Sequence, residues 1–98
     1  MDHRTDEKER RQEIIKKLTY ELPVLRARIG ASQSEIANRL GISRQTYCSI
    51  ENGKKEMNWL MCIALFAVLH SNIETREMLK NIGDLKDAAV KELEIGNI

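Results

Sequence analysis

Proline, glycine and cysteine are scarce in this sequence, and their scarcity limits the classes of protein that it can encode. One proline and five single glycines in 98 residues leave long stretches free to form helices, with glycines placed as helix ends would place them. Together with 42% hydrophobic residues, this composition predicts an ordered, all-helical chain of single-domain size.

The two cysteines, Cys48 and Cys62, predict no metal site, because no CxxC pair and no other ligand cluster accompanies them. Counting alone does not exclude one disulfide. The sequence shows no signal-peptide pattern, so we expect the cytoplasm, where thiols stay reduced. It also lacks a Ser/His/Asp set, a carboxylate pair at a defined spacing and a glycine-rich phosphate loop, so we expect neither an enzyme nor a cofactor.

Hydrophobic runs long enough to cross a membrane are missing as well. The apolar run from Trp59 to Leu69 has eleven residues, whereas a membrane-spanning helix needs roughly 20. We therefore predict a buried helix here and no membrane as a partner.

Neither positive nor negative charge is in large excess, since the formal net charge is only +1. The charge is unevenly distributed, because residues 24–69 carry six basic against three acidic side chains, whereas residues 70–98 carry four against six. The basic excess in the middle is compatible with contact to DNA phosphates, although a solvated helical surface gives similar counts.

The N-terminal part of the chain has the pattern of a charged helix followed by a second one. Residues 1–20 indicate a helical arm that docks only through Ile14, Ile15 and Leu18. A separate helix is predicted to begin near Pro23, because proline suits the first turn of a helix.

Two short helices with clear start and stop signals follow. Ser32-Gln-Ser-Glu35 has the pattern of a capping box and predicts the start of a helix that ends at Gly41. Ser43 is a good N-cap for the next helix. Ala37 is small enough for a close helix contact, and a glycine in the turn can take a positive φ. This spacing predicts a helix-turn-helix over about residues 33–52.

Further helices are predicted toward the C-terminus. Asn58 is the expected cap of a fourth helix, Ser71-Asn-Ile-Glu74 a second capping box for a fifth, and Asp84 the cap of a last one. Residues 71–98 are thus expected to form a helical extension that dimerises or binds a partner.

The segment SQSEIANRLGISRQTYCSIENGK resembles the helix-turn-helix of the phage-repressor-like family, also called the XRE or Cro family. The resemblance covers roughly residues 22–69 and implies an all-α bundle of five or six helices with its DNA-binding domain at residues 21–70. Members of this family are mostly transcriptional repressors or antitoxins that bind operators as dimers, which implies a double-stranded DNA partner here.

The resemblance also implies which side chains meet DNA. The start of the third helix would lie in the major groove, where arginine can pair with guanine and glutamine with adenine. The implied base-reading residues are Arg44, Gln45, Thr46 and Ser49. The implied contacts to the DNA backbone are Gln33, Ser43, Asn52, Gly53 and Lys54.

Three other residues of the segment are expected to have structural roles. We predict that Tyr47 belongs to the core with its hydroxyl at the edge, and that Cys48 is a small packed residue. A structural interpretation of Glu51 is that it pairs within the chain, with a helix terminus or with an arginine such as Arg39.

The fourth helix departs from the family because it is apolar on nearly every face, so its second apolar stripe must be covered by another subunit or by the terminal helices. We expect a homodimer, because two helix-turn-helices held about 34 Å apart on one DNA face multiply the affinity. The candidate interface residues are Leu60, Met61, Val68, Met78, Leu79, Ile82 and Leu85.

The predicted function is that of a sequence-specific transcriptional regulator, a dimeric repressor without a visible effector domain. Two alternatives stay open at this point. One is an antitoxin that represses its own operon and holds a toxin, and the other is a protein-interaction module that kept the fold but lost DNA binding, as the small net charge suggests.

Overall fold

The computed structural model describes residues 3–82 and 85–93, and it confirms the predicted all-α class. These residues form six α-helices and one short 3-10 helix. The helices are α1 (His3–Ile29), α2 (Gln33–Leu40), α3 (Arg44–Glu51), α4 (Trp59–His70), α5 (Ile73–Arg76) and α6 (Leu85–Leu93), with the 3-10 helix at Met78–Asn81. The apolar helix α4 lies in the centre of the bundle, where it contacts α1, α2, α5 and α6.

Helix α1 runs unbroken through Pro23, so the prediction that a new helix begins there is wrong. Leu18, Leu22 and Leu25 are all buried at helical spacing on both sides of the proline. Their packing offsets the cost of about 3 kcal/mol that a proline imposes inside a helix. Pro23 itself lies on the exposed side of α1, where water can reach the carbonyl group that has lost its backbone partner.

The N-terminal segment docks through the three predicted apolar side chains, but not only through them, because the Arg11 guanidinium lies 5.3 Å from the centre of the Trp59 ring. Ile14, Ile15 and Leu18 are buried in the same hydrophobic cluster as the core of the helix-turn-helix. The boundary expected near residue 20 therefore falls inside one continuous helix that belongs to the core.

The predicted starts of α2, α3 and α4 are confirmed by their caps. Ser32 and Glu35 form the complete capping box of α2, with both hydrogen bonds at 3.0 Å. The side chains of Ser43 and Asn58 accept hydrogen bonds from backbone N–H groups at the starts of α3 and α4. Each cap satisfies an N–H group that has no partner inside its helix.

The C-terminal part differs from the prediction, because the expected fifth helix is divided into α5 and the 3-10 helix. Asn72, and not Ser71, caps α5 by accepting a hydrogen bond from the Glu74 N–H at 2.8 Å. The buried hydroxyl of Thr75 donates to the Leu69 carbonyl, which ties α5 to the end of α4. The predicted cap at Asp84 lies outside the described residues.

Within the described ranges, no helix is both long enough and apolar enough to cross a membrane. The central apolar helix α4 has twelve residues. Most of its apolar side chains instead pack against the other helices of the bundle, where Cys62, Leu65 and Leu69 are fully or almost fully buried.

Candidate nucleic-acid interface

The turn between α2 and α3 is fixed by backbone hydrogen bonds and by one glycine. Ala37 is buried, and its carbonyl accepts a hydrogen bond from the Ile42 N–H at 3.0 Å. Gly41 has a φ of 72°, a left-handed conformation that a side chain would strain. These features hold α3 in one orientation relative to α2.

Helix α3 has one buried face and one outward face. Tyr47 and Ile50 anchor it in the core, with 0% and 2% of their surface exposed. The opposite face, at helical spacing, carries Arg44, Gln45, Cys48 and Ser49. Arg44 and Gln45 are exposed at the first turn, and neither side chain makes a hydrogen bond or an ion pair with any described residue. They are therefore available to a ligand.

The hydroxyl groups of Ser43 and Thr46 are already engaged with each other. Ser43 Oγ accepts a hydrogen bond from the Thr46 N–H at 3.0 Å and donates one to Thr46 Oγ1 at 2.8 Å. Thr46 Oγ1 is the acceptor in this pair and keeps its own hydrogen, so Thr46 can still donate a hydrogen bond and also offers a methyl group for an apolar contact.

The backbone N–H groups of residues 52–55, in the loop after α3, are all used in hydrogen bonds within the chain. Asn52 Oδ1 accepts a hydrogen bond from the Lys54 N–H at 3.1 Å, and Gly53 has a φ of 82°. The Lys55 N–H donates to the Ser49 carbonyl at 2.9 Å, which closes the turn against α3. The side chain of Lys54 projects from this loop and is exposed.

Glu51 pairs with Arg26 of α1, and the suggested partner Arg39 is wrong. The guanidinium donates through Nε and Nη2 to the two carboxylate oxygens at 3.0 and 2.9 Å. Burial alone would raise the pKa of Glu51, but hydrogen bonds and charge from Arg26 hold this pKa below its ordinary value. Arg26 also donates to the Ala31 carbonyl at 3.2 Å. The pair thus fastens α3 to α1 and to the start of α2.

Tyr47 and Cys48 also differ from the prediction. The hydroxyl of Tyr47 does not reach the edge; it is buried, and burial, together with the Glu51 carboxylate, raises the pKa of the phenol. Cys48 is half-buried, not fully packed, and its thiol donates to Gln33 Oε1 at 2.9 Å. The feature of the sequence that indicates such a contact is the position of Cys48 on the outward face of α3, beside Arg44 and Ser49.

Both cysteines are free thiols. Cys62 is buried in α4, and burial raises its pKa to about 12. The described part of the chain contains no group of three His, Cys, Asp or Glu side chains that is able to hold a metal ion.

The predicted dimer candidates do not form one surface. Leu79, Ile82 and Leu85 are buried in the core of a single chain and cannot also contact a partner, so they are removed from the candidate interface. They pack inward because the 3-10 helix and α6 fold back on α4. Met61, Val68 and Met78 are partly buried against the core. Leu60 is 74% exposed.

A short helix held across a tight turn from another short helix is the arrangement of a helix-turn-helix. A helix-turn-helix family model matches residues 25–74, about half of the chain. The chain belongs to the phage-repressor-like helix-turn-helix family, whose members are DNA-binding transcription regulators. Comparison of the chain with curated proteins gave no match, and neither did comparison with solved structures.

Proposed function

We propose that the protein is a sequence-specific repressor that binds its operator as a homodimer, with the start of α3 in the major groove. The observation that carries this proposal is the pair of exposed, unpartnered side chains Arg44 and Gln45, opposite the buried anchors of α3. Arginine can donate two hydrogen bonds to guanine O6 and N7, and glutamine can pair with adenine N6 and N7. Ser49 and the methyl group of Thr46 complete the proposed base-reading set.

The surface charge of the central segment supports a polyanionic partner. Arg26 is neutralised internally by Glu51, so the basic excess of residues 24–69 lies entirely on exposed side chains, five basic against two acidic. The exposed basic residues are Arg28, Arg39, Arg44, Lys54 and Lys55, and the exposed acidic residues are Glu35 and Glu56.

The proposed contacts to the DNA backbone surround the recognition helix. Gln33 lies at the start of α2, Ser43 at the start of α3, and Asn52, Gly53 and Lys54 in the loop after it. Amide donors, helix N-termini and a lysine are the groups that commonly contact DNA phosphates. In this proposal they fix the register of α3 on the duplex.

The Arg44→Ala variant is expected to weaken binding to the preferred duplex by about 1 to 3 kcal/mol and to relax the preference at one base pair, because a two-hydrogen-bond contact is lost. Lys54→Gln is the contrasting variant, and it is expected to weaken all duplexes alike and to lower the salt dependence of binding. Titration of each variant with the selected duplex and with scrambled duplexes measures both effects. An equal loss on every sequence for Arg44→Ala would show that Arg44 contacts only phosphate.

The proposed subunit interface lies on the outward stripe of α4. Leu60 is exposed there, and Ala67 is exposed two turns further along the same helix. A second copy paired through this stripe would cover apolar surface that the chain's own terminal helices leave open. The two recognition helices would then have to lie about 34 Å apart to reach successive major grooves.

The Leu60→Glu variant is expected to raise the dimer dissociation constant at least about tenfold, because burying a leucine contributes roughly 1.5 to 3 kcal/mol and a charge opposes burial. The matched control is Ile73→Glu, since Ile73 is 77% exposed and lies on α5. Sedimentation velocity over a concentration series measures the association of both variants. A Leu60→Glu protein that dimerises like the wild type would place the interface elsewhere.

Repression in this proposal needs no further domain, because a dimer that occupies an operator excludes other proteins from the same DNA. The protein would act in the cytoplasm, where the DNA is. Selection of bound duplexes from a random pool, followed by sequencing, is the direct test. We expect an inverted repeat with half-sites about 10 base pairs apart. Failure to enrich any sequence would contradict the proposal, and a copurifying small partner would favour the antitoxin alternative.

A further inference from the structure

The side-chain amide of Gln33 is held between two residues of α3. Its oxygen accepts a hydrogen bond from the Cys48 thiol at 2.9 Å, and its nitrogen donates to Glu51 Oε1 at 3.4 Å. Glu51 is itself fixed by the two hydrogen bonds from Arg26. Gln33 at the start of α2 is thereby connected through α3 to α1.

These two partners are chemically different, and together they select one orientation of the amide. An ionised carboxylate only accepts hydrogen bonds, so the amide nitrogen must face Glu51. A thiol can donate a hydrogen bond, so the amide oxygen faces Cys48 and accepts the hydrogen bond from its sulfur. Rotation of the amide by 180° would bring its oxygen against the carboxylate, where no hydrogen bond is possible, and its nitrogen against the sulfur, which is only a weak acceptor.

We infer that Cys48 is a positioning residue for the DNA-backbone contact made by Gln33. The inference rests on the proposed function, in which Gln33 donates to a phosphate. With one N–H committed to Glu51, the half-buried amide keeps a second N–H for a phosphate oxygen. An amide that is already oriented loses less side-chain freedom when DNA binds, and this preorganisation increases the affinity.

The DNA-binding test compares two substitutions that differ in one hydrogen-bond donor. Cys48→Ala removes the donor and is expected to weaken binding to specific and non-specific duplexes about threefold to tenfold, the effect of one neutral hydrogen bond. Cys48→Ser keeps a donor of similar size and is expected to stay within about twofold of the wild type. Thermal unfolding of both variants identifies any loss that comes from instability.

A double substitution tests whether the effect passes through Gln33. In a Gln33→Ala background, Cys48→Ala is expected to cause no further loss of affinity, because there is no amide left to orient. A loss of the same size in both backgrounds, or equal binding by Cys48→Ala and the wild type, would overturn the inference.

A measurement on the free protein separates this inference from the proposed function. The side-chain amide signals of Gln33 in a ¹⁵N–¹H NMR spectrum are expected to shift in Cys48→Ala and to stay close to the wild-type positions in Cys48→Ser. Unchanged signals in Cys48→Ala would overturn the positioning role even if the protein binds DNA. Absence of DNA binding by the wild type would overturn the proposed function, and with it the backbone contact on which the inference rests.

Discussion

Replacement of Arg26 by methionine is expected to lower the free energy of unfolding at neutral pH by about 2 to 4 kcal/mol. The side chain of Glu51 is only 7% exposed, whereas that of Arg26 is 25% exposed. Removal of the guanidinium therefore leaves a buried carboxylate without its charged partner, and this costs more than the loss of a surface ion pair. Methionine retains most of the aliphatic volume, so the loss reports on the charge and its hydrogen bonds.

Acidification should reduce this difference between the Arg26→Met variant and the wild type. In the wild type the pKa of Glu51 lies below its ordinary value, so the pair stabilises the fold at neutral pH and this contribution is lost as pH falls through the folded-state pKa. In the variant, burial without Arg26 raises the pKa of Glu51, so protonation relieves the unpaired charge. The two unfolding free energies should converge as pH falls below the lowered folded-state pKa of Glu51.

Urea unfolding at a series of pH values measures both effects of the Arg26 substitution. The matched control is Arg28→Met, because Arg28 lies on the same helix but is exposed and has no ion-pair partner among the described residues. This control is expected to change stability by no more than about 0.5 kcal/mol. A similar, small effect for Arg26→Met would contradict the structural role of the pair.

The second large effect is expected for Leu18→Ala, which should lower the free energy of unfolding by about 2 to 4 kcal/mol. Leu18 is fully buried in α1, N-terminal to the segment that matches the family. Truncation of a packed leucine removes favourable burial and leaves a cavity that the neighbours fill only in part. The result would show that the extended N-terminal half of α1 stabilises the DNA-binding core.

Tyr20→Ala provides the control for Leu18→Ala. It removes a larger side chain two residues further along α1, but Tyr20 is 82% exposed. Its effect on stability should stay within about 0.5 kcal/mol. Chemical denaturation measures the free energy of unfolding of both variants. Equal, small losses of this free energy would mean that the N-terminal half of α1 does not pack as described.

The ends of α2 and α3 and the turn between them could be predicted from the sequence. The capping box at Ser32 and Glu35, the turn at Gly41 and the cap at Ser43 are each made by hydrogen bonds or backbone conformations that involve only neighbouring residues. Such local features depend little on the rest of the fold. They are therefore encoded in short segments and can be recognised there.

The candidate residues for the dimer interface show what the hydrophobic pattern could not predict. Leu60 and Leu79 are both apolar residues at helical spacing, but Leu60 is exposed and Leu79 is buried in the chain's own core. Periodicity identifies a face that must be covered, and it does not say which element covers it. The answer depends on the direction in which the 3-10 helix and α6 leave the end of α5.

The sequence by itself determined the helical class, the family and the outward side chains at the start of α3. Only the tertiary structure decided that α1 continues through Pro23, that Glu51 pairs with Arg26, and that Cys48 contacts Gln33. The last two contacts join residues 25 and 15 positions apart. Contacts of this kind form where helix faces meet in space, so their energies depend on packing that no single segment encodes.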